Sequence, residues 1–176
     1  MSALIGGALT VALSLLFLRA AWHKAQAFAE TTGFVAGYGL VPPGREAPVL
    51  RALIAAEGAT VLLLALPATR PLGGLGAAAL LLGYAAAMAL ALRAGRARIE
   101  CGCGGAPQVV SPALVGRNLL LAAAGVAVAL LPGQPMGGAP GAAAAIAAGV
   151  TLWCLHGTAE RLFANAGHIR LAQDQR

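Results

Sequence analysis

Apolar residues are gathered along this chain into five runs, roughly Leu4–Ala21, Val49–Leu66, Leu72–Leu92, Leu114–Leu131 and Gly141–Leu155. A helix that crosses a hydrocarbon layer needs about 20 such residues. The ten prolines, at positions 42, 43, 48, 67, 71, 107, 112, 132, 135 and 140, all lie outside these windows. Proline breaks helix interiors but is accepted at helix starts and in loops, so its placement supports the segmentation. The pattern predicts an all-α integral membrane bundle of about five transmembrane helices, a single domain over residues 1–176. A Cys-Gly-Cys hairpin is set between the third and fourth spans. The fifth run is mostly Ala and Gly, and its end is open toward Phe163. Ala79, Gly83, Ala87 and Ala91 recur at four-residue spacing on the third span, a small-residue stripe of the kind that packs helices together.

Two connections differ from tight turns. His23–Pro48 is long, and Phe28, Phe34, Val35 and Tyr38 within it predict at most a short interfacial helix of poor periodicity. Pro132–Pro140 is Gly/Pro-rich and uncharged.

Composition agrees with a membrane protein. Ala, Val, Ile, Leu, Met, Phe, Trp, Tyr and Cys together make up 59% of the chain and charged residues 10%, against about 25% charged in a typical soluble domain. The net charge of +6 does not indicate nucleic acid, because the cations fall at span ends. Arg19, Lys24, Arg45, Arg51, Arg93, Arg96, Arg98, Arg117, Arg161, Arg170 and Arg176 share one side when the spans alternate; only Arg70 lies opposite. The positive-inside rule makes that side cytoplasmic, with the N-terminus outside and the C-terminus inside. Met1–Thr10 has no Lys or Arg and so lacks the basic start of a cleaved signal peptide, which predicts a retained first span.

The densest chemistry is Arg96-Ala-Arg98-Ile-Glu-Cys101-Gly-Cys103-Gly-Gly105. Two thiols one residue apart can close on each other, hold a soft metal, or exchange with a partner's disulfide. The glycines permit close backbone approach, and Arg96 and Arg98 favour thiolate if they sit near the sulfurs. With three cysteines in all, no secreted disulfide scaffold is indicated. Cys154 and His156, near the end of the fifth span, reach the same membrane face as Cys101 and Cys103. Two readings stay open. In one, Cys101, Cys103, Cys154 and His156 form a thiophilic metal site; in the other, Cys101 and Cys103 are a redox pair and Cys154 is a small buried residue.

An ionisable group inside a span normally faces the bundle with a partner. Glu57 is such a group in the second span, and Arg19 of the first is the expected partner. Trp22, His23 and Lys24 read as an interface anchor, with His23 also placed as a proton donor to the thiols. Arg117-Asn118 opens the fourth span facing the hairpin and is suited to hold it. No quinone, haem or nucleotide motif and no hydrolase constellation is present, and no cofactor is expected.

Several of these residues resemble the MauE family, the methylamine utilisation protein E family of bacterial membrane proteins. The resemblance is carried by Arg19…Trp22-His23-Lys24, Tyr38-Gly-Leu-Val-Pro42, Glu57, Tyr84-Ala-Ala-Ala-Met88, Ile99-Glu-Cys-Gly-Cys-Gly-Gly105, Gln108, Ser111 and Leu114-Val-Gly-Arg-Asn118. It runs from about Leu15 to Leu131 and leaves Cys154 and His156 outside. It implies a bacterial inner-membrane protein that helps mature or export the disulfide-rich small subunit of methylamine dehydrogenase beside a thioredoxin-like partner. The function expected is therefore a membrane thiol–disulfide relay, oxidoreductase-like, with Cys101 and Cys103 as the working pair. Its partners are membrane lipid, the thioredoxin-like protein and a periplasmic disulfide-containing client, and not nucleic acid. A thiol metal-binding or transport protein and a non-catalytic maturation scaffold are the alternatives. A periplasmic client and a cytoplasmic hairpin are reconciled by a relay across the membrane or by a hairpin that re-enters between helices.

Overall fold

A computed structural model describes residues 1–96, 110–131 and 138–173. Arg98, Cys101 and Cys103 lie outside the described residues. The helices are α1 (Ser2–Gln26), α2 (Phe28–Tyr38), α3 (Glu46–Ala65), α4 (Arg70–Arg93), α5 (Pro112–Leu130) and α6 (Gly138–Gln173). Five of these, all but α2, are long and apolar enough to cross a membrane. Pro71 and Pro112 stand in the first turns of α4 and α5, where a missing N–H costs no intrahelical bond.

The structure fixes two boundaries that the sequence reading left open. The connection after α1 does hold a helix, α2, which ends at Gly39 in the left-handed conformation with φ 62°. The helix that carries the fifth run continues past residue 155 and past Phe163: α6 reaches Gln173 as one helix of 36 residues. At about 1.5 Å per residue this exceeds the roughly 30 Å of a hydrocarbon core. Leu155 is followed by the polar residues His156, Thr158, Glu160 and Arg161, which end the apolar run without ending the helix.

The core is shared by four spans. Leu13 and Phe17 of α1 meet Leu64 of α3, Ala77 and Leu81 of α4, and Ala122 and Val128 of α5. Where lipid surrounds a bundle, close packing of small residues replaces hydrophobic exclusion as the main attraction. It is most evident between α4 and α5. A Cβ on Gly74 would lie 2.7 Å from the Gly125 carbonyl oxygen, and one on Gly125 2.9 Å from the Gly74 oxygen. At one end of the bundle, Arg70 donates to the Leu131 carbonyl at 2.6 Å and lies beside Gly6. The starts of α1 and α4 and the end of α5 therefore meet there, as alternating spans require.

The small-residue stripe on α4 does not serve packing along its length. Ala91 is buried, but Ala79 and Gly83 are exposed, and a Cβ on Gly83 would meet nothing within 4 Å. Ala79, Gly83 and Ala87 instead form one wall of a cavity of about 450 Å³ between α2, α3 and α4.

Candidate functional site

Among the described residues, two carboxylates are buried inside the bundle. Glu57 of α3 is 0% exposed and Lys24 of α1 is 4% exposed. The Lys24 ammonium donates to Glu57 Oε1 at 2.7 Å, and the Tyr84 hydroxyl of α4 donates to the same oxygen at 2.7 Å. Lys24 Nζ also lies 5.4 Å from the centroid of the Tyr84 ring. Three spans are thus tied at one carboxylate. Glu57 Oε2 is buried without a hydrogen-bond partner among the described residues.

The second carboxylate is Glu160 of α6. Arg117 Nη1 of α5 donates to Glu160 Oε1 at 2.7 Å. His156 Nε2 stands 3.5 Å from the same oxygen, and Arg19 Nη1 of α1 stands 3.7 Å from Glu160 Oε2. Between the two centres is a small cavity of about 30 Å³, lined on one side by Lys24, Glu57 and Tyr84 and on the other by Arg117, Asn118, His156 and Glu160. A space of that size admits about one water molecule, and its walls offer the several polar partners a buried water needs.

The pairing expected between Arg19 and Glu57 is therefore corrected. Glu57 takes Lys24 and Arg19 takes Glu160. An ammonium on a long flexible stem can be drawn inward from the last turn of α1, so Lys24 is a buried partner rather than an interface anchor. His23 Nδ1 is buried with no hydrogen-bond partner among the described residues. Asn118 is buried and donates back to the Leu114 carbonyl at 2.9 Å. Arg117, expected to hold the hairpin, makes its described contact with Glu160.

The segment carrying the two cysteines is reached from residues that the structure does describe. Arg96 is exposed, and its Nη1 donates to the Tyr38 carbonyl at 2.9 Å. A Cβ on Gly39 would overlap the Arg96 guanidinium, so glycine there serves both the positive φ and this contact. On the other flank Val110 is buried with Met88 and Leu114, and Tyr38 and Tyr84 pack against that cluster. Both flanks therefore meet on α2 and α4.

Cys154 is exposed, which corrects the reading of it as a small buried residue. His156, two positions on, turns inward to Glu160. Among the described residues no group of three or more His, Cys, Asp or Glu side chains is placed to hold a metal ion.

Sequence reasoning did not single out Glu160, and it gave Tyr84 only as part of a resemblance. Tyr84 is the one polar side chain within the apolar run of α4, a signal as good as that of Glu57. Glu160 forms a His156…Glu160 pair at i,i+4 spacing, in the stretch between Leu155 and Phe163 that the sequence left open as span or tail.

These features define a multi-pass helical membrane protein with a charged core, its spans joined by buried ion pairs. The family described as "Methylamine utilisation protein MauE" matches residues 2–132, and the chain belongs to that family. It is 40% identical over 130 residues to a methylamine utilization protein MauE of Paracoccus denitrificans, covering 69% of this chain and 67% of that one. A methylamine utilization protein MauE of Paracoccus versutus is 37% identical over 162 residues, covering 90% of this chain and 87% of that one. No solved structure matches the chain. The Lys24–Glu57–Tyr84 centre lies wholly inside the matched residues, whereas α6 and Glu160 lie beyond them.

Proposed function

We propose that the protein is an inner-membrane thiol–disulfide relay of methylamine utilisation, in which Cys101 and Cys103 cycle between dithiol and disulfide. One thiolate attacks the disulfide of a thioredoxin-like partner, and the mixed disulfide is resolved by the second thiol. The partner's disulfide is then reduced and the Cys101–Cys103 pair oxidised; the reverse sequence passes the disulfide on toward a periplasmic client. By family resemblance that client is the small subunit of methylamine dehydrogenase.

The observation that carries the reading is the seating of the dithiol segment's two flanks. Arg96 is bound to Tyr38 and Val110 is packed on Met88, so both ends are held against the same helices. Arg96 and Arg98 precede Cys101 by five and three residues in the sequence, and positive charge close to a thiol favours thiolate. The metal alternative draws less support, since Cys154 and His156 leave α6 in different directions.

Cys101→Ser and Cys103→Ser are each expected to abolish client maturation, and one of them to trap a mixed disulfide with the partner. Cys154→Ala should mature its client normally and still show a reversible two-thiol change on oxidation. Loss of maturation in Cys154→Ala together with loss of bound metal would overturn the relay. We place the N-terminus outside and the C-terminus inside; reporters fused after Arg70 and Pro135 should read outside, and one at Arg176 inside.

A further inference from the structure

We infer that the cavity between α2, α3 and α4 is a binding site for the carbonyl-bearing ring of a lipid-soluble quinone, with Lys24 as the group that holds its head. The cavity's volume of about 450 Å³ falls in the range of roughly 300–1,000 Å³ common to small-molecule sites. Four observations fix the chemistry of the occupant.

First, the cavity is entered from the membrane phase. Ala79 and Gly83 on its α4 wall, and Leu40 beyond α2, line it and are exposed, and α4 is a span. A ligand arriving there carries an apolar tail. Second, the inner end offers hydrogen-bond donors. The Lys24 ammonium has three N–H bonds, and its described partners are one carboxylate oxygen and one ring face. Lys24 lines the cavity and is 4% exposed, so its remaining donors call for a buried acceptor.

Third, the head is neutral. The charge of Lys24 is already balanced by Glu57 at 2.7 Å. A phosphate or carboxylate head would add a second anion beside a fully buried one, at a large electrostatic cost in a low-dielectric setting. Fourth, the walls suit a flat ring. Phe34, Tyr38 and Tyr84 contribute aromatic surface, while Gly83 and Ala87 leave room beside it. A neutral, flat, acceptor-bearing ring with an apolar tail is the description of a quinone. Glu57 touches none of it directly and acts as a positioning residue through Lys24.

This site does not rest on the thiol reading: Tyr38, Tyr84 and Met88 also seat the flanks of the dithiol segment, but among the described residues no cysteine lines the cavity. The test uses the full chain in phospholipid-free detergent micelles with a photoreactive short-chain benzoquinone as probe and, separately, an unlabelled alkyl benzoquinone or added phospholipid as competitor. Labelled peptides should come from α2 and α4, and the quinone competitor should suppress them. Gly83→Phe fills the cavity from a position where a Cβ meets nothing, so its fold should persist by circular dichroism. It should weaken labelling about tenfold, a change well above the scatter of affinity measurements. Lys24→Gln should weaken it similarly, and protein carrying Cys101→Ser and Cys103→Ser should label like the parent. Labelling unchanged in a folded Gly83→Phe protein would overturn the site. Suppression by phospholipid rather than by quinone would assign the cavity to an acyl chain. A cysteine at position 83 that cross-links to another protein or a second copy would assign it to a helix; either result removes the proposal.

Discussion

Glu57 and Glu160 are both carboxylates held inside the bundle, and among the described residues they differ in how many basic side chains face them. Glu57 is wholly buried and has one cation, Lys24, plus the neutral Tyr84 hydroxyl. Glu160 is approached by Arg117, Arg19 and His156, and the Arg19 side chain is 40% exposed. The first centre joins α1, α3 and α4 within the family-matched residues; the second joins α1, α5 and α6, and α6 lies beyond them. The contrast shows how burial and redundancy trade against each other. A singly paired, fully buried charge fixes one arrangement of three helices but tolerates no loss, whereas a multiply paired one tolerates the loss of any single partner.

Removing Lys24 tests the contrast most severely. Lys24→Met should destabilise the fold by about 3–5 kcal/mol, because an unpaired charge is left in the bundle. Folded yield and thermal unfolding in detergent measure this. Adding Glu57→Leu should restore much of the loss, since replacing a whole buried pair with apolar groups is often neutral or better. If the double variant is as poor as the single one, shape rather than charge governs the site.

Tyr84→Phe takes one charged hydrogen bond from Glu57 and leaves Lys24 in place. The expected loss is about 1.5–3 kcal/mol, the range for bonds to ionised groups, read from the same unfolding curves. Arg117→Met should cost less despite an equally short contact, about 1–2 kcal/mol, as Arg19 and His156 still face Glu160. A cost equal to that of Lys24→Met would end the argument from redundancy. Arg19→Ala should change stability by less than about 1 kcal/mol, as expected of a half-exposed pair at 3.7 Å.

Much of this architecture is legible in the amino-acid order. A bilayer demands long apolar helices, so the five spans follow from run length, and the prolines mark their starts. The Cys-Gly-Cys segment and the one-sided arginines are likewise visible without coordinates. Even α6, whose apolar run ends before its helix does, is placed correctly in number and order.

Partnership inside the bundle is different, because it depends on rotation about each helix axis. Arg19 and Lys24 are five positions apart on α1, which at about 100° per residue sets them roughly 140° apart around it. Either could have met Glu57; the face that α1 turns toward α3 gives that place to Lys24 and sends Arg19 to Glu160. The same holds for the stripe of Ala79, Gly83 and Ala87. Its spacing establishes that these residues share a face, but whether that face meets a helix or an open space depends on where α2 and α3 lie. The order of residues determines which side chains are available to the interior, and only the packed helices decide which of them meet.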